Sequence, residues 1–136
     1  MRPISNGSFG AAVPRRGVYL FSEPQRGHLY VGRSNDIRGR YGRHCNPGAT
    51  HRMAAFAFRL AREGTGRMKA SYKAGPDSRS GLIANPEFRA AFDSAKARIR
   101  AMEFRFVEEA DPIKQCLLEV YAAVALQTPY NDFDNH

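Results

Sequence analysis

Three short stretches of the chain have sequence patterns typical of β-strands, the first two as β-branched and aromatic runs and the third as an alternation of apolar and polar residues. The first two stretches, residues 17–21 and 28–32, are rich in β-branched and aromatic side chains. Between them lie Pro24 and Gly27, which favour turns. The third stretch, residues 100–106, follows much later. The pattern predicts a hairpin and a separate third strand.

Strand alternation also predicts which side chains share a face of the hairpin. If the two strands pair symmetrically about their loop, Tyr19 lies directly opposite Tyr30. Both rings then lie on one face. The other face is expected to hold Val18, Leu20, Leu29 and Val31.

A helix is predicted from Ile37, because Asn35 and Asp36 are good N-caps. Four of its residues recur at i, i+3, i+4 and i+7 spacing and define one inward face: Ile37, Arg40, Tyr41 and His44. Arg38 and Arg43 fall outside this face. The pattern therefore brings an arginine and a histidine inward, close to two tyrosines.

Three further helices are predicted, each from a periodic stripe of apolar residues. The first covers residues 50–63 and the second residues 86–98, with a loop predicted at 76–81. Their core stripes are Met53, Phe56, Ala57 and Leu60 in one and Phe88, Ala91, Phe92 and Ala95 in the other. The last helix begins after the N-cap Asp111 and runs to about Gln127. Its predicted core stripe is Ile113, Leu117, Val120 and Val124.

Glu119 is the only ionisable carboxylate in the apolar run of residues 116–126. No Lys or Arg stands three or four residues away to pair with it on the helix. Because an unpaired buried carboxylate is costly, Glu119 requires a metal ion, a distant cation or water. A position at the solvent edge, or a pair with an arginine of another helix, remains the alternative.

The order of elements predicts an α/β (α+β) fold, in which helices flank a small antiparallel three-stranded sheet. At 136 residues the chain is expected to form one domain over residues 17–136. Residues 1–16 are predicted to be a flexible arm and residues 49–98 a basic helical insertion. Without an apolar leader or spanning segment, a cytoplasmic location and no membrane partner are expected.

The charge of the chain points to a polyanionic partner. Lys and Arg number 21 against 13 Asp and Glu, which gives a formal charge of +8. Many of the basic residues lie in the insertion, including Arg52, Arg59, Arg62 and Lys69. They form either a solvated surface or one that binds nucleic-acid phosphates.

The hairpin residues resemble the GIY-YIG nuclease family, whose paired tripeptides here are Gly17-Val18-Tyr19 and Tyr30-Val31-Gly32. Valine replaces the isoleucine of both tripeptides. Family members also carry an arginine ten residues after the second tyrosine and a histidine or tyrosine four residues later. A metal-binding glutamate and, twelve residues after it, an asparagine complete the pattern. The matching residues are Arg40, His44, Glu119 and Asn131.

The resemblance implies a metal-dependent endonuclease that acts on nucleic acid, with DNA as the expected substrate. Glu119 would hold Mg²⁺ or Mn²⁺ and Tyr19 would act as general base, its pKa lowered by Arg40 and His44. Tyr30 would orient water or the base, and Asn131 would support the site as a donor. Arg33, which matches a lysine of the excision-repair members, is a candidate phosphate contact or a solvent-exposed cation. No second protein is required for the chemistry.

Two alternatives remain at the level of sequence. One is a nucleic-acid-binding module that keeps the fold but has lost catalysis. The other is a toxin or mobile-element effector that uses the same nuclease chemistry. The oligomeric state is not predicted.

Overall fold

The computed structural model describes residues 2–4, 13–66 and 79–131. Four strands and five helices are found in this part of the chain. In chain order they are β1 (Arg2–Ile4), β2 (Gly17–Glu23), β3 (Gly27–Ser34), α1 (Ile37–Cys45), α2 (Ala55–Thr65), α3 (Arg79–Ala84), α4 (Pro86–Ala101), β4 (Glu103–Glu108) and α5 (Pro112–Leu126). No helix among them has the length and apolar character needed to cross a membrane.

The sheet is antiparallel, with the strand order β1-β4-β2-β3. Its three long strands confirm the predicted α+β fold with helices on a three-stranded sheet. The short strand β1 lies in the segment predicted as an arm and pairs with β4. The predicted start of the third strand is wrong, because α4 continues to Ala101 and β4 begins at Glu103.

The hairpin differs from the prediction in register. Tyr19 lies opposite Gly32, and Tyr30 lies opposite Phe21, so the prediction that the two tyrosines face each other is wrong. The pairing differs from the prediction by two residues. The irregularity between Phe21 and Ser22 accounts for one of them, and the turn accounts for the other, because Glu23 pairs with Gly27 and the turn is centred on Gln25. Because the tyrosines remain two pairs apart, strand alternation still places both rings on one face, as predicted.

The opposite face of the hairpin forms a core with α5. Val18, Leu20 and Val31 pack against Ala122 and Ala123. The helix itself has the predicted N-cap, since the Asp111 carboxylate accepts hydrogen bonds from the first backbone amides. However, the predicted core stripe of α5 is wrong, because all four of its side chains are exposed. They are Ile113, Leu117, Val120 and Val124. The two alanines face inward because their small side chains let the helix approach the sheet closely.

The chain divides into two compact units, Met1–Arg40 with Ala101–His136, and Tyr41–Arg100. The first unit contains the sheet and α5. The second contains the end of α1 together with α2, α3 and α4, and it starts earlier than the insertion predicted at 49–98. Its aromatic core joins Phe58 to Phe88 at 5.2 Å between ring centroids.

Two predictions for the second unit need correction. Met53 is 44% exposed, because it lies in a turn before α2, which begins at Ala55 and not at residue 50. The loop predicted at 76–81 is replaced from Arg79 onward by α3, and residues 76–78 lie outside the described part of the chain. The buried residues of α4 include Phe88, Phe92 and Ala95, as predicted.

Candidate active site

Tyr19 lies in the middle of β2 and is only 1% exposed. Its ring contacts Phe21 and Phe104 on the same face of the sheet, with centroid separations of 5.9 and 5.5 Å. On β3 the ring lies across Gly32, where an added Cβ would overlap the phenol. The glycine that ends the second tripeptide is therefore required by the position of the Tyr19 ring.

Arg40 is brought to the two tyrosines by the start of α1. The Asp36 carboxylate accepts a hydrogen bond from the Gly39 amide at 3.2 Å, which confirms Asp36 as the cap of the helix. One turn later, the Arg40 guanidinium hydrogen-bonds with the hydroxyls of both Tyr19 and Tyr30. One cation thus joins both phenols.

The charges around the phenols have opposing effects. Burial raises the pKa of Tyr19 far above its ordinary value, and the neighbouring Tyr30 raises it further. Arg40 lowers this pKa through its charge and its hydrogen bond, while Glu119 raises it. The pKa of Tyr30 is also raised, chiefly by burial, and Arg40 again opposes the change. Arg40 therefore lowers the pKa of Tyr19, as expected, but burial outweighs it and the net direction is upward.

Glu119 approaches the site from the inner side of α5. Its side chain is 20% exposed, and its Oε1 lies 3.7 Å from Nε of Arg33 on β3. Burial raises the pKa of the carboxyl and Arg33 lowers it. The charge of Glu119 raises the pKa of both phenols, so the carboxylate lies close enough to interact electrostatically with Tyr19 and Tyr30. The structure thus brings together the four residues Tyr19, Tyr30, Arg40 and Glu119.

Asn131 holds the outer edge of β3. Its side-chain oxygen accepts a hydrogen bond from the Val31 amide, and its side-chain nitrogen donates to the Val31 carbonyl, both at 2.7 Å. The same oxygen accepts from the Thr128 hydroxyl at 2.7 Å. The backbone amide of Tyr130 also donates to the Leu29 carbonyl at 3.2 Å. The chain after α5 is thereby fixed to the strand that carries Tyr30.

The remaining predicted residues lie in the second unit. His44 is fully buried, with its ring 6.4 Å from that of Phe56 in an edge-on contact. Arg52 is exposed and lines a cleft of about 460 Å³ in this unit. Arg59 and Arg62 are partly exposed on α2, where Arg62 also lies over the Phe58 ring. Lys69 lies outside the described residues.

Local patterns in the sequence could not reveal the Arg33–Glu119 pair, because it joins a strand to a helix far along the chain. The anchoring of Asn131 to Val31 was likewise unforeseen. Glycine at position 32 was the only available signal for the close approach of the Tyr19 ring. Its place in the tripeptide motif does not by itself indicate a packing requirement.

A divalent cation fits this set of residues. No group of three His, Cys, Asp or Glu side chains that could hold a metal occurs in the described part of the chain. Mg²⁺, however, is commonly held by one or two carboxylates, with water and substrate phosphates as the other ligands. Glu119 is a partly exposed carboxylate beside the half-exposed guanidinium of Arg33. It can supply the one protein oxygen that such an ion requires.

The fold and the site define an α+β protein with paired tyrosines, an arginine and a helix-borne carboxylate on a small antiparallel sheet. A comparison with protein families gives the same assignment: the family described as GIY-YIG catalytic domain matches residues 15–82, half of the 136-residue chain. The chain belongs to the GIY-YIG family of nucleases. Searches of curated proteins and of solved structures found no significant match.

Proposed function

We propose that this protein is a divalent-metal-dependent endonuclease that hydrolyses phosphodiester bonds in nucleic acid, with DNA as the expected substrate. The observation that carries the proposal is the shared electrostatic environment of Tyr19, Tyr30, Arg40 and Glu119. A cation and a carboxylate act on two buried phenols, an arrangement suited to binding a phosphate and moving a proton.

Arg40 binds the scissile phosphate. Its guanidinium can donate several hydrogen bonds in a fixed planar geometry, which suits phosphate oxygens. Its contacts with both tyrosine hydroxyls orient it in the free protein. The half-exposed Arg33 contacts a second phosphate oxygen beside Glu119.

Tyr19 accepts the proton of the attacking water as a phenolate, after it has released its own hydroxyl proton to solvent, and Tyr30 orients that water through its hydroxyl. In the free protein Tyr19 is neutral, because burial raises its pKa. Burial is the largest factor that raises this pKa and the negative charge of Glu119 is a smaller one, so the general-base role requires positive charge beside the phenol, of which Arg40 supplies part. Since Arg40 already lowers the pKa, compensation of Glu119 acts in the same direction.

Glu119 holds the divalent cation, Mg²⁺ or Mn²⁺. When bound, the ion supplies a positive charge that stabilises the developing negative charge on the leaving oxygen. Glu119, whose charged form burial disfavours, would gain a compensating positive charge there. Asn131 supports the site indirectly, because it fixes the edge of β3 beside Tyr30.

Basic residues of the second unit bind the nucleic-acid backbone. The exposed Arg52 and the partly exposed Arg59 and Arg62 are available for phosphate contacts, and the +8 charge of the chain favours a polyanion. Such contacts supply affinity without sequence preference. These contacts are made along the nucleic-acid backbone, whereas Arg40 binds the scissile phosphate.

The decisive experiment compares Glu119→Gln with the wild type in plasmid nicking with Mg²⁺, with and without chelator. The substitution removes the ligand charge but leaves the basic surface intact, so metal-dependent nicking should be lost while DNA binding survives. Glu108→Gln, which changes an exposed carboxylate of β4, is the matched control and should cleave normally. Undiminished nicking by Glu119→Gln would rule out its role as metal ligand.

One observation favours a second candidate function. Because the pKa of Tyr19 is raised, its hydroxyl is a poor general base in the free protein. This is expected of a nucleic-acid-binding module that has lost catalysis. Binding without metal-dependent nicking on duplex, branched and single-stranded DNA and on RNA would establish that module. Nicking that requires Mg²⁺ or Mn²⁺ would exclude it.

A further inference from the structure

The outward side of α5 carries a continuous stripe of large apolar side chains. The exposed fractions are 72% for Ile113, 65% for Leu117, 41% for Val120 and 68% for Val124, and Tyr121 beside them is 70% exposed. Single exposed apolar residues are ordinary on a protein surface, but a contiguous apolar patch marks an interaction site. This stripe is separate from the inward side of the helix, which carries Glu119.

The spacing of the stripe indicates what covers it. Its four aliphatic residues follow one another at intervals of four, three and four residues. This is the alternation of d and a positions in a coiled coil, where apolar residues recur on average every 3.5 residues and pack against another helix. The stripe is therefore shaped for a second helix.

The same spacing is symmetric about its centre. Read from either end, the intervals are four, three and four. Two copies of α5 can therefore lie antiparallel about a two-fold axis, with Ile113 of each copy against Val124 of the other. Leu117 then packs against Val120 of the second copy. A two-fold interface requires this kind of self-complementary surface.

The exposed area also favours a second copy of the chain, and the local charge at the stripe does not oppose it. Two molecules with a charge of +8 repel each other, but the stripe is uncharged, and α5 contains only Lys114 and Glu119 as charged residues. In the antiparallel arrangement the two Lys114 side chains lie toward opposite ends of the helix pair. The stripe and Tyr121 together expose on the order of 600 Å² per copy, so a dimer would bury about 1,200 Å², the lower limit for specific interfaces.

We propose that the protein forms a homodimer through antiparallel pairing of α5, with the stripe of Ile113, Leu117, Val120 and Val124 as its seam. The proposal does not depend on the nuclease activity. An interface of this size gives a dimer whose population depends on concentration over the micromolar range.

Sedimentation velocity over a wide range of protein concentration tests the dimer. The wild type should shift from monomer to dimer as concentration rises. Leu117→Lys should remain a monomer, because it places two buried charges in the seam. Ala125→Lys adds the same charge to an exposed position of α5 outside the stripe and should still dimerise. A wild type that is monomeric at every protein concentration overturns the proposal. This holds even if the monomer binds phospholipid vesicles through the stripe.

Disulfide trapping tests the orientation and does not require a disruptive variant. Cys116 is exposed and is first changed to serine, while Cys45 is buried and is left in place. Ile113→Cys and Val124→Cys proteins should cross-link when mixed under oxidising conditions. Each alone should not, because like residues lie about 16 Å apart along the antiparallel pair, beyond disulfide reach. Cross-linking of each variant with itself, or no cross-linking in the mixture, overturns the antiparallel pairing.

Discussion

Helices α1 and α5 each place one charged residue beside the paired tyrosines. Their sequences differ, since α1 has a polar outer side and α5 is apolar around most of its surface. In α1 the predicted inward face is the observed one: Ile37 and Tyr41 are buried, and Arg38 and Arg43 are exposed. In α5 the predicted core stripe faces outward, and the buried residues are Gln115, Ala122 and Ala123.

The difference between α1 and α5 shows under which condition the periodicity of apolar residues identifies the buried face of a helix. The polar residues of α1 define its outer side, so its apolar positions can only point inward. In α5 apolar residues surround most of the helix, so periodicity alone does not select a side. Side-chain size decides instead, since the alanines allow close contact with β2 and β3. The larger aliphatic residues are left to the surface, where the proposed second copy covers them.

The orientation of α5 can be tested by one substitution made on both of its sides. Ala123→Leu should lower the free energy of unfolding by about 1–3 kcal/mol, because it overpacks the contact with the hairpin. Ala125→Leu, the same change at an exposed position, should alter it by less than about 0.5 kcal/mol. Urea unfolding of both variants gives the comparison. Equal losses of stability would contradict the observed orientation.

A smaller effect is expected where the chain after α5 is fixed to β3. Asn131→Ala removes hydrogen bonds to the Val31 amide and carbonyl and from the Thr128 hydroxyl. We expect a loss of about 1–2 kcal/mol in the free energy of unfolding, because Asn131 is itself only partly buried and water can take its place beside the buried Val31. Asn46→Ala, at an exposed position after α1, is the control. A loss no greater than that of the control would show that Asn131 does not anchor this segment.

The smallest effect concerns the stability of the metal-free protein. Burial raises the pKa of Glu119 above its ordinary 4.5, so its stabilising contribution is present below that pH and lost as pH rises through the folded value. At neutral pH the ionised carboxylate therefore destabilises the fold. Glu119→Gln should melt slightly higher than the wild type at pH 7 in chelator, with the difference vanishing near pH 4. A lower melting temperature at pH 7 would mean that the Arg33 pair outweighs burial.

Local sequence patterns were sufficient for the elements that carry the site. The turn residues of the hairpin and the caps Asp36 and Asp111 act over a few residues, so their effects could be predicted. The resemblance to the family also selected Tyr19, Tyr30, Arg40 and Glu119 as one set, and the structure brings these four together.

Features that depend on distant parts of the chain could not be predicted in this way. The hairpin register depends on one irregularity near its turn, and the Arg33–Glu119 pair depends on how α5 meets β3. The net direction of the Tyr19 pKa depends on burial by side chains from other strands, including Phe104. Spacing along the sequence contains none of this information.

The central claim is that the Tyr19 hydroxyl takes part in phosphodiester hydrolysis. Its most direct test is the single-turnover cleavage rate of Tyr19→Phe at saturating Mg²⁺, on whichever nucleic acid the wild type cleaves best. The substitution keeps the ring between Phe21 and Phe104 and removes only the hydroxyl, so the fold should survive. Tyr121→Phe, at an exposed position, is the matched control, and thermal melts of both variants verify folding.

We predict that Tyr19→Phe lowers the cleavage rate by about 10²–10⁴-fold, the usual contribution of a general acid or base, while Tyr121→Phe cleaves as the wild type does. A folded Tyr19→Phe protein that cleaves within a few-fold of the wild type would contradict the account.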